Sequence, residues 1–297
     1  MTLEQLRIFV AVAETLNMRA ASEVLHLTQP AVSAAIAALE MRNGTRLFDR
    51  VGRGLELNAA GRTFLPEARA VLARAKEARR ALDDLTGLVR GEVRIAASQT
   101  VATYWLPTRM ARFAAQYPGV DLSLFAGNSS QAVQALLIGE ADLAFVESAV
   151  EEELLEVRRI GGDRPGFYAA PDHPLAGMPI GPAELRGAAW VLREPGSGTR
   201  DHLAASLPEL GLAMGDLMVR MSLPSNEATL EAAAAGGMVA VVSDLAAGCR
   251  LAAGRIARLD CDLPARDFSV ATHRARRLSR AAAAFLDTVG AWTGPSA

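Results

Sequence analysis

Apolar side chains recur every three or four residues from the start of the chain. Leu3, Leu6, Phe9, Val10, Ala13 and Leu16 predict a first amphipathic helix. A second, short helix is expected over Met18–Leu25, with Ala20, Ala21, Val24 and Leu25 as its small or apolar positions. The segment His26-Leu27-Thr28-Gln29-Pro30 then opens a third helix. Thr28 suits an N-cap, and Pro30 sits where a first turn tolerates a missing N–H. Val32, Ile36 and Leu39 face inward along Ala31–Glu40, and Asn43-Gly44 supplies the stop. The stretches Arg46–Arg50 and Leu55–Leu57 flank Gly52-Arg53-Gly54 and read as a hairpin, or wing. Asn58 caps a long helix over Ala59–Val89, whose stripe is Phe64, Ala68, Val71, Leu72, Ala75, Ala78, Leu82 and Leu85. Such a stripe must be buried against something, and a second copy of the chain is the cheapest partner.

Beyond the long helix the period changes. Short apolar runs predict strands at Glu92–Ala97, Asp121–Ala126, Asp142–Val146, Gly166–Ala170, Ala189–Leu192, Val219–Ser222, Val239–Ser243 and Phe268–Thr272. Helical stretches lie between them, among them Leu106–Gln116, Gln131–Ile138 and Glu227–Ala235. The alternation is an α/β pattern with mostly parallel sheets.

Two short helices, a tight connection and a third helix satisfy the description of a helix-turn-helix. In that reading the third helix carries Gln29, Pro30 and Ser33 into the major groove of duplex DNA. Gln pairs with adenine through two bonds, Ser donates or accepts, and Pro packs on a thymine methyl. The Thr28 cap and the free first-turn N–H groups favour a nearby phosphate. Arg50 and Arg53 on the wing grip flanking phosphates, which positions the unit without reading sequence. The competing reading of the same pattern is a helical hairpin that only packs.

Residues 1–62 resemble the N-terminal domain of the LysR-type transcriptional regulators. The likeness rests on Leu6, Phe9, Ala13, Ala21 and Leu25, then Thr28-Gln29-Pro30-Ala31-Val32-Ser33, Ile36, Leu39-Glu40, Gly44, Leu47-Phe48, Arg50, Arg53, Leu57 and Ala60-Gly61. The remainder is similar to that family's effector domain. The resemblance implies a winged helix-turn-helix at 1–58, a dimerising linker helix at 59–89, and a two-lobed, periplasmic-binding-protein-like α/β sensor at 90–297. The sensor's lobes would be 91–161 with 266–292, and 162–265. It also implies double-stranded promoter DNA, a small metabolite, self-association as a homodimer or homotetramer, and RNA polymerase as partners. Arg19 stands where the family usually has Ser or Thr, Ala34 and Ala35 where a basic or polar residue often follows Ser33, and Asn58 in place of a threonine cap.

Several junctions between strands and helices in the sensor are polar, the places where doubly wound folds meet their ligands. They are Ser98-Gln99-Thr100, Gly127-Asn128-Ser129-Ser130, Glu147-Ser148, the stretch Arg193 to Arg200 with Ser197 and Thr199, Ser225-Asn226-Glu227 and Ser243-Asp244. Hydroxyls and free N–H groups at converging helix ends make an anion site, with Arg193 or Arg200 as countercharge. Any one of these junctions alone is equally an ordinary cap. The Arg193–Arg200 stretch and Ser98-Gln99-Thr100 resemble the subgroup that includes regulators of cysteine biosynthesis and carbon fixation. That likeness implies sulfur oxyanions or phosphorylated or carboxylated metabolites as effectors.

Composition narrows the alternatives. The chain has 297 residues, 51% hydrophobic and 22% charged, with a formal net charge of −2. That is enough for about two domains with real cores, and it excludes global disorder. Charge is uneven: Arg42, Arg46, Arg50, Arg53 and Arg62 cluster around the wing, so near-neutrality overall leaves room for a local nucleic-acid patch. Two cysteines and four scattered histidines predict neither a disulfide framework nor a metal site. No 18-residue apolar run appears and the first residues lack a leader pattern, so the expectation is a cytoplasmic protein outside any membrane. The rival classes are an enzyme or a plain solute-binding protein on the same scaffold. No Gly-x-Ser-x-Gly, Walker or Gly-x-Gly-x-x-Gly element supports catalysis or a bound cofactor. Cys249 reads as a small helix residue.

Overall fold

The computed structural model describes residues 1–51, 54–84 and 91–290. The chain divides into two compact units, Met1–Thr86 and Gly87–Ala297.

The first unit contains α1 (Leu3–Thr15), α2 (Met18–Leu25), α3 (Gln29–Asn43), the antiparallel strands β1 (Phe48–Val51) and β2 (Gly54–Leu57), and α4 (Ala59–Asp84). Each boundary has a local cause. Thr2 and Gln5 form a capping box ahead of α1. The Asn17 side chain accepts from the N–H groups of Arg19 and Ala20 to start α2. Gly44 ends α3 in the left-handed region at φ 63°. The Glu40 carboxylate accepts from the Leu47 and Phe48 N–H groups and so ties α3 to the wing. Asn58 accepts from Gly61 N–H and opens α4. A side chain at Gly61 would meet the Leu47 carbonyl oxygen at 2.2 Å, so the close approach of α4 to the wing requires glycine.

The core of this unit is Leu6, Phe9, Val12, Val32, Ile36, Leu39, Leu47, Phe48 and Ala68. The Phe9 ring lies 5.5 Å from Phe48 and 5.1 Å from Phe64. The stripe on α4 therefore divides. Phe64, Ala68 and Leu72 pack into the unit's own core, while Val71 and Ala78 stay exposed. The expectation that the whole stripe is free for a second copy does not hold for its first half. Leu85, the last stripe position, lies outside the described residues.

The second unit has two five-stranded sheets. The first runs in the order β4 (Val120–Gly127), β3 (Gly91–Ser98), β5 (Leu143–Val146), β12 (Arg266–His273), β6 (Leu155–Asp163). The helices of this part are α5 (Leu106–Gln116), α6 (Ser129–Leu137) and α11 (Arg280–Gly290), with a π-helical turn at Val101–Trp105 leading into α5. Trp105, Phe113, Phe145, Phe268 and Phe285 form the largest side chains of its core. The second sheet runs β11 (Ala257–Asp262), β7 (Pro165–Ala169), β10 (Val239–Ser243), β8 (Ala189–Arg193), β9 (Met218–Leu223). It carries α7 (Pro182–Gly187), α8 (Gly198–Ser206), α9 (Asn226–Ala234) and α10 (Asp244–Ala252). Buried Trp190 packs on Phe167 at 5.6 Å and donates its indole N–H to the Leu185 carbonyl.

The chain leaves the first sheet after β6, builds the second, and returns as β12. Both sheets are mixed rather than mostly parallel: β12 pairs antiparallel with β5 and β6 in the first, and β7 antiparallel with β10 and β11 in the second. β6 and β11, which the hydropathy pattern does not predict, are edge strands whose charged side chains face solvent and hide the alternation. Among the described residues no single helix is long and apolar enough to cross a membrane.

Candidate functional site

The two units each contain a candidate site. In the first, Thr28, Gln29 and Pro30 stand exposed at the start of α3, and Ser33 is half-buried one turn on. Gln29 and Pro30 are the first two helical residues. Thr28 occupies the N-cap position with extended backbone, yet its hydroxyl makes no capping bond, contrary to expectation. α3 instead begins with first-turn N–H groups whose partner is not the cap. Arg42, Arg46 and Arg50 are exposed around the wing. Arg53 lies outside the described residues.

In the second unit, polar junctions from both sheets converge on one buried layer. Ser98 ends β3, and the Gln99 side chain accepts from the Asn226 backbone N–H at 2.6 Å. Asn226, at the first turn of α9, donates through Nδ2 to the Thr100 hydroxyl at 3.1 Å and accepts through Oδ1 from Arg193 Nη1 at 2.8 Å. Arg193 closes its fork on the neighbouring Glu194, at 2.8 and 3.0 Å. Glu194 in turn accepts from Asn128 Nδ2 at 3.2 Å, across from α6. Ser130 N–H donates to the Gly196 carbonyl. Arg200 donates to the Arg193 carbonyl at 2.9 Å.

The floor of the layer lies where the chain passes between the sheets. Arg266, the first residue of β12, is paired in register with Asp163, the last of β6. Their side chains form a bidentate ion pair at 2.6 and 2.8 Å, each only 2% exposed. Arg266 also donates to the Thr199 hydroxyl at 3.0 Å and lies 3.7 Å from a Glu147 oxygen. A methyl at Gly198 would sit 2.6 Å from Glu147 Cγ and 2.8 Å from Ser129 Oγ, so these groups crowd the N-terminus of α8.

The sequence-derived candidates Ser98, Gln99, Thr100, Asn128, Ser129, Glu147, Arg193, Ser197, Thr199, Arg200 and Asn226 thus fall along this one layer. Glu194, Asp163 and Arg266 were not among them. The one sequence signal for Arg266 is a charge just ahead of the Phe268–Thr272 run.

Four polar atoms in the layer are buried without a hydrogen-bond partner: Ser98 Oγ, Ser129 Oγ, Ser197 Oγ and Glu147 Oε2. Each such group costs about 1–3 kcal/mol, so their concentration in one place is a reserve of binding capacity. Burial pushes the Glu147 carboxyl above its ordinary range, against the pull of Arg266, whose fork is already committed to Asp163. In its protonated form, which burial favours, Glu147 can donate a hydrogen bond rather than repel an anion. The layer is closed at its rim by Tyr104, whose phenol donates to Glu227 on α9; burial and that carboxylate push the phenol's pKa up. Among the described residues no cluster of His, Cys, Asp and Glu is arranged to hold a metal.

Two family descriptions cover the chain. Residues 3–62 match the bacterial regulatory helix-turn-helix protein, lysR family. Residues 86–294 match the LysR substrate binding domain. The chain belongs to the LysR family. Among curated relatives, the uncharacterized HTH-type transcriptional regulator YeiE of Escherichia coli K12 is 36% identical over 96% of both chains. The RuBisCO operon transcriptional regulator of Allochromatium vinosum is 35% identical over 97% of this chain and 95% of its own. Among solved structures, full-length CbnR complexed with its target DNA superimposes with a TM-score of 0.70 at 26% identity, covering 97% of this chain and 99% of that one. The regulatory domain of Synechocystis PCC6803 CcmR, in complex with 2-PG, matches 68% of this chain and 97% of its own at 31% identity, with a TM-score of 0.62. This LysR-family chain is a DNA-binding transcriptional regulator with an effector-binding domain, and the subgroup likeness read from its sequence agrees with the carbon-fixation relative. The enzyme reading has no support in the relatives, which are named as regulators.

Proposed function

We propose that this regulator senses a small oxyanion in the layer between its two sheets and converts occupancy into a change at promoter DNA. Gln29, Pro30 and Ser33 read base edges, while Thr28, Arg50 and Arg53 hold phosphates. Residues 1–58 form the reading head and 59–89 the dimerising linker, through the part of the α4 stripe that stays exposed. In the sensor, 91–161 with 266–292 and 162–265 act as two lobes that close on the effector, a hinge motion. Closure alters the spacing or angle of two heads in a cytoplasmic homodimer or homotetramer, and with it DNA bending and contact with RNA polymerase. Such coupling is worth about 1–3 kcal/mol.

The observation that carries the reading is the set of unpartnered buried groups, Ser98, Ser129 and Ser197 hydroxyls and Glu147 Oε2, beside the N-termini of α6 and α8. Donors of this kind at helix ends suit phosphate, carboxylate or sulfur oxyanions. The relative CcmR, seen with 2-PG, supports the ligand class. The test is a thermal-shift screen of sulfate, sulfite, phosphate and 2-PG, followed by footprinting with and without the ligand that raises the melting point. A ligand-dependent change in footprint or bend is expected; an identical footprint in both states overturns the mechanism.

A further inference from the structure

Which cation meets the charge of an anion in this layer is a separate question. Arg193 spends Nε and Nη2 on Glu194 and one hydrogen of Nη1 on Asn226, and Arg200 donates through Nη1 to the Arg193 carbonyl. Arg266 is bonded in the same pattern as Arg193, and what sets it apart is where its Nη1 lies, on Thr199 and beside Glu147. Asp163 takes its Nε and Nη2, and Nη1 gives one hydrogen to Thr199. An Nη carries two hydrogens. A Glu147 oxygen lies 3.7 Å from Nη1, beyond hydrogen-bond reach.

The surroundings of that free edge are those of the unpartnered atoms. Thr199 follows Ser197 and Gly198 in the chain, and the Gly198 position abuts both Ser129 Oγ and Glu147 Cγ. Ser129 Oγ, Ser197 Oγ and Glu147 Oε2 therefore cluster around the two residues that Nη1 faces. We infer that Arg266 is the cation of the effector site and that Asp163, by sharing its charge, sets how tightly an anion is held. The assignment rests on the oxyanion reading of the layer. A buried guanidinium without a carboxylate is too costly to keep, so Asp163 lets Arg266 be buried and at the same time competes with the ligand for it.

Competition has a sign that a merely structural ion pair lacks. Asp163→Asn keeps the shape and an acceptor but removes the negative charge, so anions bind more tightly. Arg266→Lys keeps charge but loses the fork, and binding weakens. The experiment is isothermal titration of the full-length protein with sulfate, sulfite, phosphate and 2-PG, each alone. Expected for the tightest probe is a gain of about tenfold in Asp163→Asn, a loss of about tenfold in Arg266→Lys, and no binding to the charge-free double variant Asp163→Asn/Arg266→Met. The double variant removes both charges of the Asp163–Arg266 pair together, so it remains informative where a single variant fails to fold. Weaker or unchanged binding to a folded Asp163→Asn, or wild-type affinity in the double variant, overturns the assignment while the oxyanion reading stands. If no probe binds the wild type or Asp163→Asn, the oxyanion reading itself falls, and this assignment with it.

Discussion

The DNA-reading tip and the effector layer solve opposite problems. At the tip, Thr28, Gln29, Pro30 and Arg50 come from two neighbouring stretches of chain and stand in solvent. The partner proposed for them is a large, charged duplex, which calls for no internal network, only a rigid helix beneath them. In the layer, residues from five junctions and two crossing strands are largely buried and bonded mainly to one another. A small ligand there must be met by groups that are pre-positioned and dry. Recognition of a surface tolerates exposure; recognition of a small anion demands burial and a nearly neutral balance of charge.

That contrast yields tests. The largest effect is expected from Phe9→Ala, which empties the contact between Phe48 and Phe64 beneath the tip. It should cost the first unit about 3–5 kcal/mol in denaturant unfolding and abolish DNA binding, while ligand-induced thermal shifts of the second unit persist. Loss of both together would show that the regions do not divide the work as described. Next is Gln29→Ala, expected to lose about 1–3 kcal/mol on a selected binding sequence and almost nothing on random duplex, by gel shift. Equal losses on both would remove its reading role. Arg50→Ala should instead weaken all duplexes alike and reduce the salt slope by about one.

The smallest effect concerns Glu147. Its carboxyl titrates above the ordinary range in the folded chain, so the protonated form is the one folding favours. The stabilisation is complete below the unfolded value of about 4.3 and is lost as pH rises through the raised folded value. Melting temperature measured against pH should therefore decline through that window in the wild type and flatten in Glu147→Gln. A wild-type profile that rises there contradicts the burial argument.

Much of this was legible in the chain. Helices α2 and α5 fall where apolar spacing predicts them, and β10 coincides with Val239–Ser243. The polar junctions were visible because hydroxyl and amide residues interrupt apolar runs at strand ends. The rest was not legible, for separate reasons. β6 and β11 are edge strands, and their exposed faces carry charges that break the alternation. Thr28 holds the N-cap position without the bond its chemistry permits. The α4 stripe is continuous in sequence but meets two environments, because only its first turns lie over Phe9.

The order of residues by itself determined the elements, the exposed glutamine and proline that open α3, and the polar ends of the sensor strands, since these depend on neighbours a few positions apart. Tertiary structure alone decided which charges are spent and which are available. Asp163 and Arg266 are 103 positions apart in sequence and meet only because the chain leaves one sheet as β6 and re-enters it as the neighbouring strand β12. Long-range pairing of that kind leaves no local periodicity, so the balance of charge inside the layer is a property of the fold rather than of any segment.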